Sequence, residues 1–125
     1  HTYPAPRLRP NASDTQYAMI GEFGGVGAFV AGKVWRPPTP KQKSCFAYNL
    51  PSHPLATPTD EAQANIDMAA TLCNWSDLGI SASVYTQISD VELECDGFLN
   101  YDRTNKFDVI STAAIKKANQ LLTRA

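Results

Sequence analysis

The stretch AMIGEFGGVG, Ala18–Gly27, sets one carboxylate, Glu22, between an apolar run and a cluster of glycines. Tyr17 to Phe23 is short, mostly apolar and stopped by Gly24 and Gly25, the pattern of a buried β-strand that ends abruptly. An acid at such a strand end has two readings. It is a satisfied carboxylate paired with an arginine or backbone amides, or it is a group kept ready for chemistry where the glycines leave room around it.

Outward from this stretch the chain divides into unlike pieces. Residues 1–16 are polar and rich in Pro and Arg, and read as loop. From Trp35 to Pro58 there are six prolines and little periodicity, so residues 33–58 read as a long Pro-rich loop. Loops beyond about 15 residues inside a domain are usually functional or mobile. TDEAQANIDMAATLC, from Thr59, then reads as a helix. Thr59 can cap it, Asp60 and Glu61 suit its first turn, and Ala62, Ile66, Ala69, Leu72 and Cys73 recur on one face. Gly79 follows its end, and ISASVYTQI from Ile80, with its β-branched and aromatic residues, reads as a second buried strand. A last helix is capped by Ser111 and carries Ile115, Ala118, Leu121 and Leu122 as its apolar stripe.

Strand, helix, strand, helix is the order of βα units with parallel strands, which makes the fold class α/β. Two buried strands do not cover both faces and both edges of a parallel sheet. The expectation is therefore a part of an α/β architecture, incomplete on its own.

Composition narrows the partners. The 125 residues are 43% hydrophobic with a net charge of −1, the balance of one globular domain. Eleven Lys and Arg against twelve Asp and Glu form no basic stripe, which argues against nucleic acid. No apolar run nears the roughly 18 residues of a membrane span. HTYPAPRLRP has neither a signal-peptide h-region nor an initiator Met, and reads as a cut N-terminus.

Three cysteines, Cys45, Cys73 and Cys95, leave one unpaired within the chain, and Cys95 reads as buried or disulfide-bonded. With the sequons at Asn11 and Asn74 they favour a secreted or secretory-lumen protein glycosylated at those asparagines. In SDVELECD, Asp90, Glu92, Glu94 and Asp96 alternate, so an extended chain would project them to one side. That run reads as a solvated acidic face, with a structural Ca²⁺ or Mg²⁺ as the alternative. His53, in the Pro-rich loop with no second ligand nearby, reads as exposed, and no metal site is assigned.

HTYPAP (residues 1–6), IGEFGG (residues 20–25) and SASVYTQISDVELECDGFLNYDR (residues 81–103) resemble three successive landmarks near the end of the catalytic barrel in family two of the glycoside hydrolases. This is the β-galactosidase, β-glucuronidase and β-mannosidase group. The last block carries the most information, with Tyr-Thr-Gln, then Asp-Val-Glu, then Gly-x-x-x-Tyr-Asp-Arg; residues 33–79 carry no family signature.

The resemblance implies strands seven and eight, with their helices, of a (β/α)8 barrel whose catalytic residues stand at the C-terminal strand ends. It makes Glu22 the nucleophile of a retaining β-glycosidase, attacking the anomeric carbon to form a glycosyl-enzyme. His1 and Tyr3 then border the sugar site, and Tyr85, Thr86 and Gln87 line it from strand eight. For His1 and Tyr3 the plainer reading is a rim loop, and for Tyr85 it is core packing.

The acid/base that such a reaction needs, about 5 to 5.5 Å from the nucleophile, is in the family a Glu after an Asn on strand four. No Asn-Glu pair occurs in this chain, and a barrel takes about 250 residues. The implied partners are thus a carbohydrate and the remaining polypeptide of the same barrel, with no organic cofactor. Galactose, glucuronic acid and mannose stay open, with a β-galactosidase-like activity favoured. The alternative is a non-catalytic structural or carbohydrate-binding module that uses aromatic surfaces such as Trp35, Tyr48 and Trp75.

Overall fold

The computed structural model describes residues 9–37, 47 and 57–123. His1, Tyr3, Cys45, Tyr48, His53 and most of the Pro-rich loop lie outside them. Strand β1 (Ala18–Gly24), helix α1 (Pro58–Ser76), strand β2 (Ile80–Thr86) and helix α2 (Val109–Leu121) follow in the expected order. The two strands pair in parallel, from Ala18 opposite Ile80 to Gly24 opposite Thr86, with register shifts after Ala18 and between Ile20 and Phe23. Mixed α/β content with a two-stranded parallel sheet is thus what the described residues form.

Alternation along β1 explains which face is covered. Ala18 and Ile20 are buried while Met19 between them is half exposed. Phe23 rejoins the buried side after the second register shift. Ala18, Ile20, Phe23, Val26 and Ile80 pack with Met68 and Leu72 of α1 into the main core. Ala62, Phe107 and Ile115 form a smaller one between α1 and α2.

Both helices start elsewhere than the sequence suggests. Thr57, not Thr59, caps α1: its Oγ1 accepts from the Asp60 amide at 3.2 Å, and the Asp60 carboxylate accepts from the Thr57 amide at 3.0 Å. Pro58, whose φ is already helical, then takes the first turn. Asp108, not Ser111, caps α2, accepting from the Ser111 amide at 2.7 Å. A carboxylate three residues upstream outcompetes the Ser111 hydroxyl because it also meets the positive end of the helix dipole.

The buried stripes shift as well. On α1 it comprises Glu61, Ala62, Asn65, Met68, Ala69 and Leu72, with Ile66 and Cys73 half buried at its border. On α2 only Ile115 is buried; Leu122 packs on the main core, and Leu121 is exposed. Strand β2 is not buried as its composition suggests, since Ile80 is covered and Ser81 to Val84 are exposed. Helix α1 packs on the side of the sheet that carries Ala18, Ile20, Phe23 and Ile80, whereas Met19 and Val84 on the strands are half exposed.

Candidate functional site

Parallel pairing brings the C-terminal ends of β1 and β2 to the same edge of the molecule. There Gly24 lies opposite Thr86, and the Gly25 amide donates to the Thr86 carbonyl at 2.8 Å. Gly24 has φ +105°, and a Cβ on it would stand 2.5 Å from the Thr86 carbonyl oxygen and 2.7 Å from the Tyr85 ring. The glycine is therefore required by both conformation and close approach. That approach sets the site: the Thr86 hydroxyl donates to Glu22 Oε1 at 3.1 Å. The half-buried Glu22 thus stands at a strand end with its carboxylate held from the neighbouring strand.

Gln87 follows, and its Nε2 donates to Asp96 Oδ1 at 2.6 Å and to Glu94 Oε2 at 3.1 Å. Asp96 is fully buried, and burial, more than any other cause, pushes its carboxyl up to about 6 despite the Gln87 bond. Its Oδ2 has no hydrogen-bond partner.

Tyr85 points the other way. Its ring stacks on Phe98 at 4.4 Å and meets Phe23 edge-on at 5.4 Å, between the sheet and the helices. The hydroxyl lies beside the Asn65 amide without a fully formed hydrogen bond, and burial pushes the phenol far above its ordinary range. A cavity of about 220 Å³ opens on this helix side, lined by Phe23, Asn65, Ser83, Tyr85, Phe98 and Asn119. Glu22 does not line it.

Behind the strand ends lies a buried ionic centre. Lys106 Nζ donates to Asp90 Oδ1 at 2.7 Å and to the Cys95 carbonyl at 2.9 Å, with Glu61 Oε2 3.6 Å away. Glu61 Oε2 also accepts from the Ala28 amide at 2.8 Å, and Asp90 Oδ1 from the Gly97 amide at 2.9 Å. Burial raises both carboxyls, Glu61 from 4.5 up to about 8. One cation between two buried carboxylates neutralises one of them, so the other keeps a proton. The centre ties the start of α1, the chain leaving β1 and the segment after β2 into one unit.

The acidic run does not extend with its carboxylates on one side. Val91 and Glu94 exchange backbone hydrogen bonds around a tight turn with Glu92 at φ +51°. Glu92 is exposed while Asp90 and Asp96 are buried. The cation against Asp90 is the chain's own Lys106. Among the described residues, no group of three His, Cys, Asp or Glu is placed to hold a metal ion. Cys95 is disulfide-bonded and buried, and Cys73 is free.

Of the expected site residues, Thr86 meets Glu22, Gln87 turns to Glu94 and Asp96, Tyr85 turns to the helices, and His1 and Tyr3 lie outside the described residues. Asn11 and Asn74, the sequon asparagines, are both exposed. Trp35 is exposed beneath the Arg36 guanidinium at 5.2 Å, and Trp75 packs on the main core. Sequence reading missed Glu61 and Lys106. Glu61 had a signal: with Asn65, Met68 and Leu72 it keeps helical spacing on the buried face. Lys106, in irregular chain, had none. No family model matches this chain, and no curated protein matches it.

Proposed function

We propose that this chain is the C-terminal part of a (β/α)8 barrel in a retaining β-glycosidase, β-galactosidase-like, with Glu22 as nucleophile. The observation that carries the reading is Glu22 at the C-terminal end of one parallel strand with the Thr86 hydroxyl, 3.1 Å away, at the same end of its neighbour. This is the face on which barrel enzymes place their catalytic groups. The resemblance of IGEFGG and YTQISDVE to family two supplies the chemistry.

In this reading Glu22 attacks the anomeric carbon as the aglycone leaves, and water then releases the sugar. The aglycone oxygen takes its proton from an acid/base carboxyl on the remaining barrel polypeptide. That polypeptide covers Met19 and Val84 of the sheet and pairs with its free edges. No organic cofactor enters the reaction. The assembly works in the secretory lumen or outside the cell, with sugar on Asn11 and Asn74.

The test is Glu22→Gln in the complete assembly. Turnover of aryl β-glycosides is expected to fall by at least about 10⁴-fold, since the covalent route is lost. Melting temperature should barely change, and a 2-fluoro glycosyl fluoride should label Glu22 in the unaltered protein. Residual turnover near the original rate would remove the reading.

A further inference from the structure

Thr86 stands where the resemblance implies a contact with the sugar, yet its hydroxyl has another use. A threonine hydroxyl carries one proton and two acceptor lone pairs, and an ionised carboxylate only accepts. The 3.1 Å bond to Glu22 Oε1 therefore takes the one proton that the Thr86 side chain has to give. None is left to donate to a sugar oxygen.

The main chain of Thr86 is held as well. Its carbonyl accepts from the Gly25 amide at 2.8 Å, and Gly24 passes so close that a Cβ there would stand 2.5 Å from the same oxygen. Glu22, Thr86 and Gly25 thus close a ring, running from carboxylate to hydroxyl, from carbonyl to amide, and along the chain back to Glu22. A β-branched side chain is stiff at χ1, so holding the Thr86 main chain also holds its hydroxyl. Both residues are half buried, where a hydrogen bond to a charged group is stronger than in open water.

Resting on the reading of Glu22 as nucleophile, we infer that Thr86 is a positioning residue whose hydroxyl sets the orientation of the Glu22 carboxylate for attack and donates nothing to the sugar. In the step that it serves, a Glu22 oxygen bonds to the anomeric carbon while the bond to the aglycone oxygen breaks. The aglycone oxygen leaves with the electron pair and takes its proton from the acid/base carboxyl of the remaining polypeptide. A carboxylate turned away from that approach costs rate, not substrate affinity.

The experiment is Thr86→Val in the complete assembly, a change that keeps the branched shape and removes the hydroxyl. For an aryl β-glycoside, kcat is expected to fall about 10- to 100-fold while KM stays within about twofold. Inactivation by a 2-fluoro glycosyl fluoride, in which Glu22 displaces fluoride, should slow by a similar factor at saturation. Thr86→Ser, which keeps the donor, should restore most of both rates. Should the valine variant fail to assemble, Thr86→Cys supplies a weaker donor of similar size, and its inactivation rate should lie well below that of threonine; an equal rate overturns the inference. An unchanged kcat in Thr86→Val, a raised KM in place of a lowered kcat, or a serine variant as slow as the valine one also overturns it. In each of these cases, turnover that Glu22→Gln abolishes leaves the glycosidase reading standing. No hydrolysis by the unaltered assembly, or hydrolysis that survives Glu22→Gln, overturns both.

Discussion

Lys106 is the residue on which the buried polar chemistry turns, because its ammonium lies between Asp90 at 2.7 Å and Glu61 at 3.6 Å with all three removed from water. Removing the cation leaves the ionised carboxylate of this pair buried and uncompensated. Lys106→Met should therefore destabilise by about 3 to 5 kcal/mol in denaturant unfolding. Glu61 gives a pH dependence whose sign follows from its raised carboxyl. Below 4.5 the group is protonated both folded and unfolded, while between 4.5 and about 8 the folded state holds a proton that the unfolded chain releases. Its contribution is complete below 4.5 and is lost as pH rises through about 8. Asp96 adds a loss between 3.8 and about 6. Melting temperature should thus fall from pH 5 to pH 8, and Glu61→Gln should flatten the upper half of that decline. An unchanged slope in the variant would show that Glu61 titrates normally in the fold.

At the scale of elements, local chemistry decides where each begins and how closely each approaches the next. Thr57→Ala removes the capping box of α1 and should cost about 1 kcal/mol, whereas Thr59→Ala, inside the first turn, should change little. Comparing the two denaturation midpoints separates the caps. Gly24→Ala meets both a left-handed φ and the Thr86 carbonyl, so more than about 1 kcal/mol of stability should be lost. Glu22, two residues earlier, would shift with it. The elements themselves were legible, because strand runs, helical spacing and breakers act over a few residues. The caps were displaced by two and three residues because Pro58 and Asp108 compete locally with better-known signals nearby. The burial of β2 was misread for another reason: composition gives a strand's capacity to be covered, and its neighbours decide whether it is.

For the whole molecule, the main fact is that Met19 and Val84 on the sheet are left uncovered by the described residues. Val84 and Met19 are 50% and 52% exposed on a two-stranded parallel sheet, an arrangement normally covered on both faces. Under the barrel reading this face meets the remaining strands. Val84→Asp should then leave the isolated chain's stability within about 0.5 kcal/mol, as for any exposed site, yet prevent its assembly with the other polypeptide. Size-exclusion chromatography of the mixed chains would show it, and normal assembly of the variant would mean that this face stays open.

By itself the sequence determined two parallel strands, two helices and their order, and set Glu22 at a strand end among glycines, because periodicity and turn chemistry are local. Only the tertiary structure decided which side chains meet there. Thr86 reaches Glu22 across 64 residues of chain, Ala28 reaches Glu61 across 33, and Lys106 reaches Asp90 across 16. No local spacing encodes such meetings, since they depend on how strands align and how tightly the chain passes Gly24. The same geometry turned Tyr85 toward the helices and Gln87 toward Asp96, although the two are separated by a single residue.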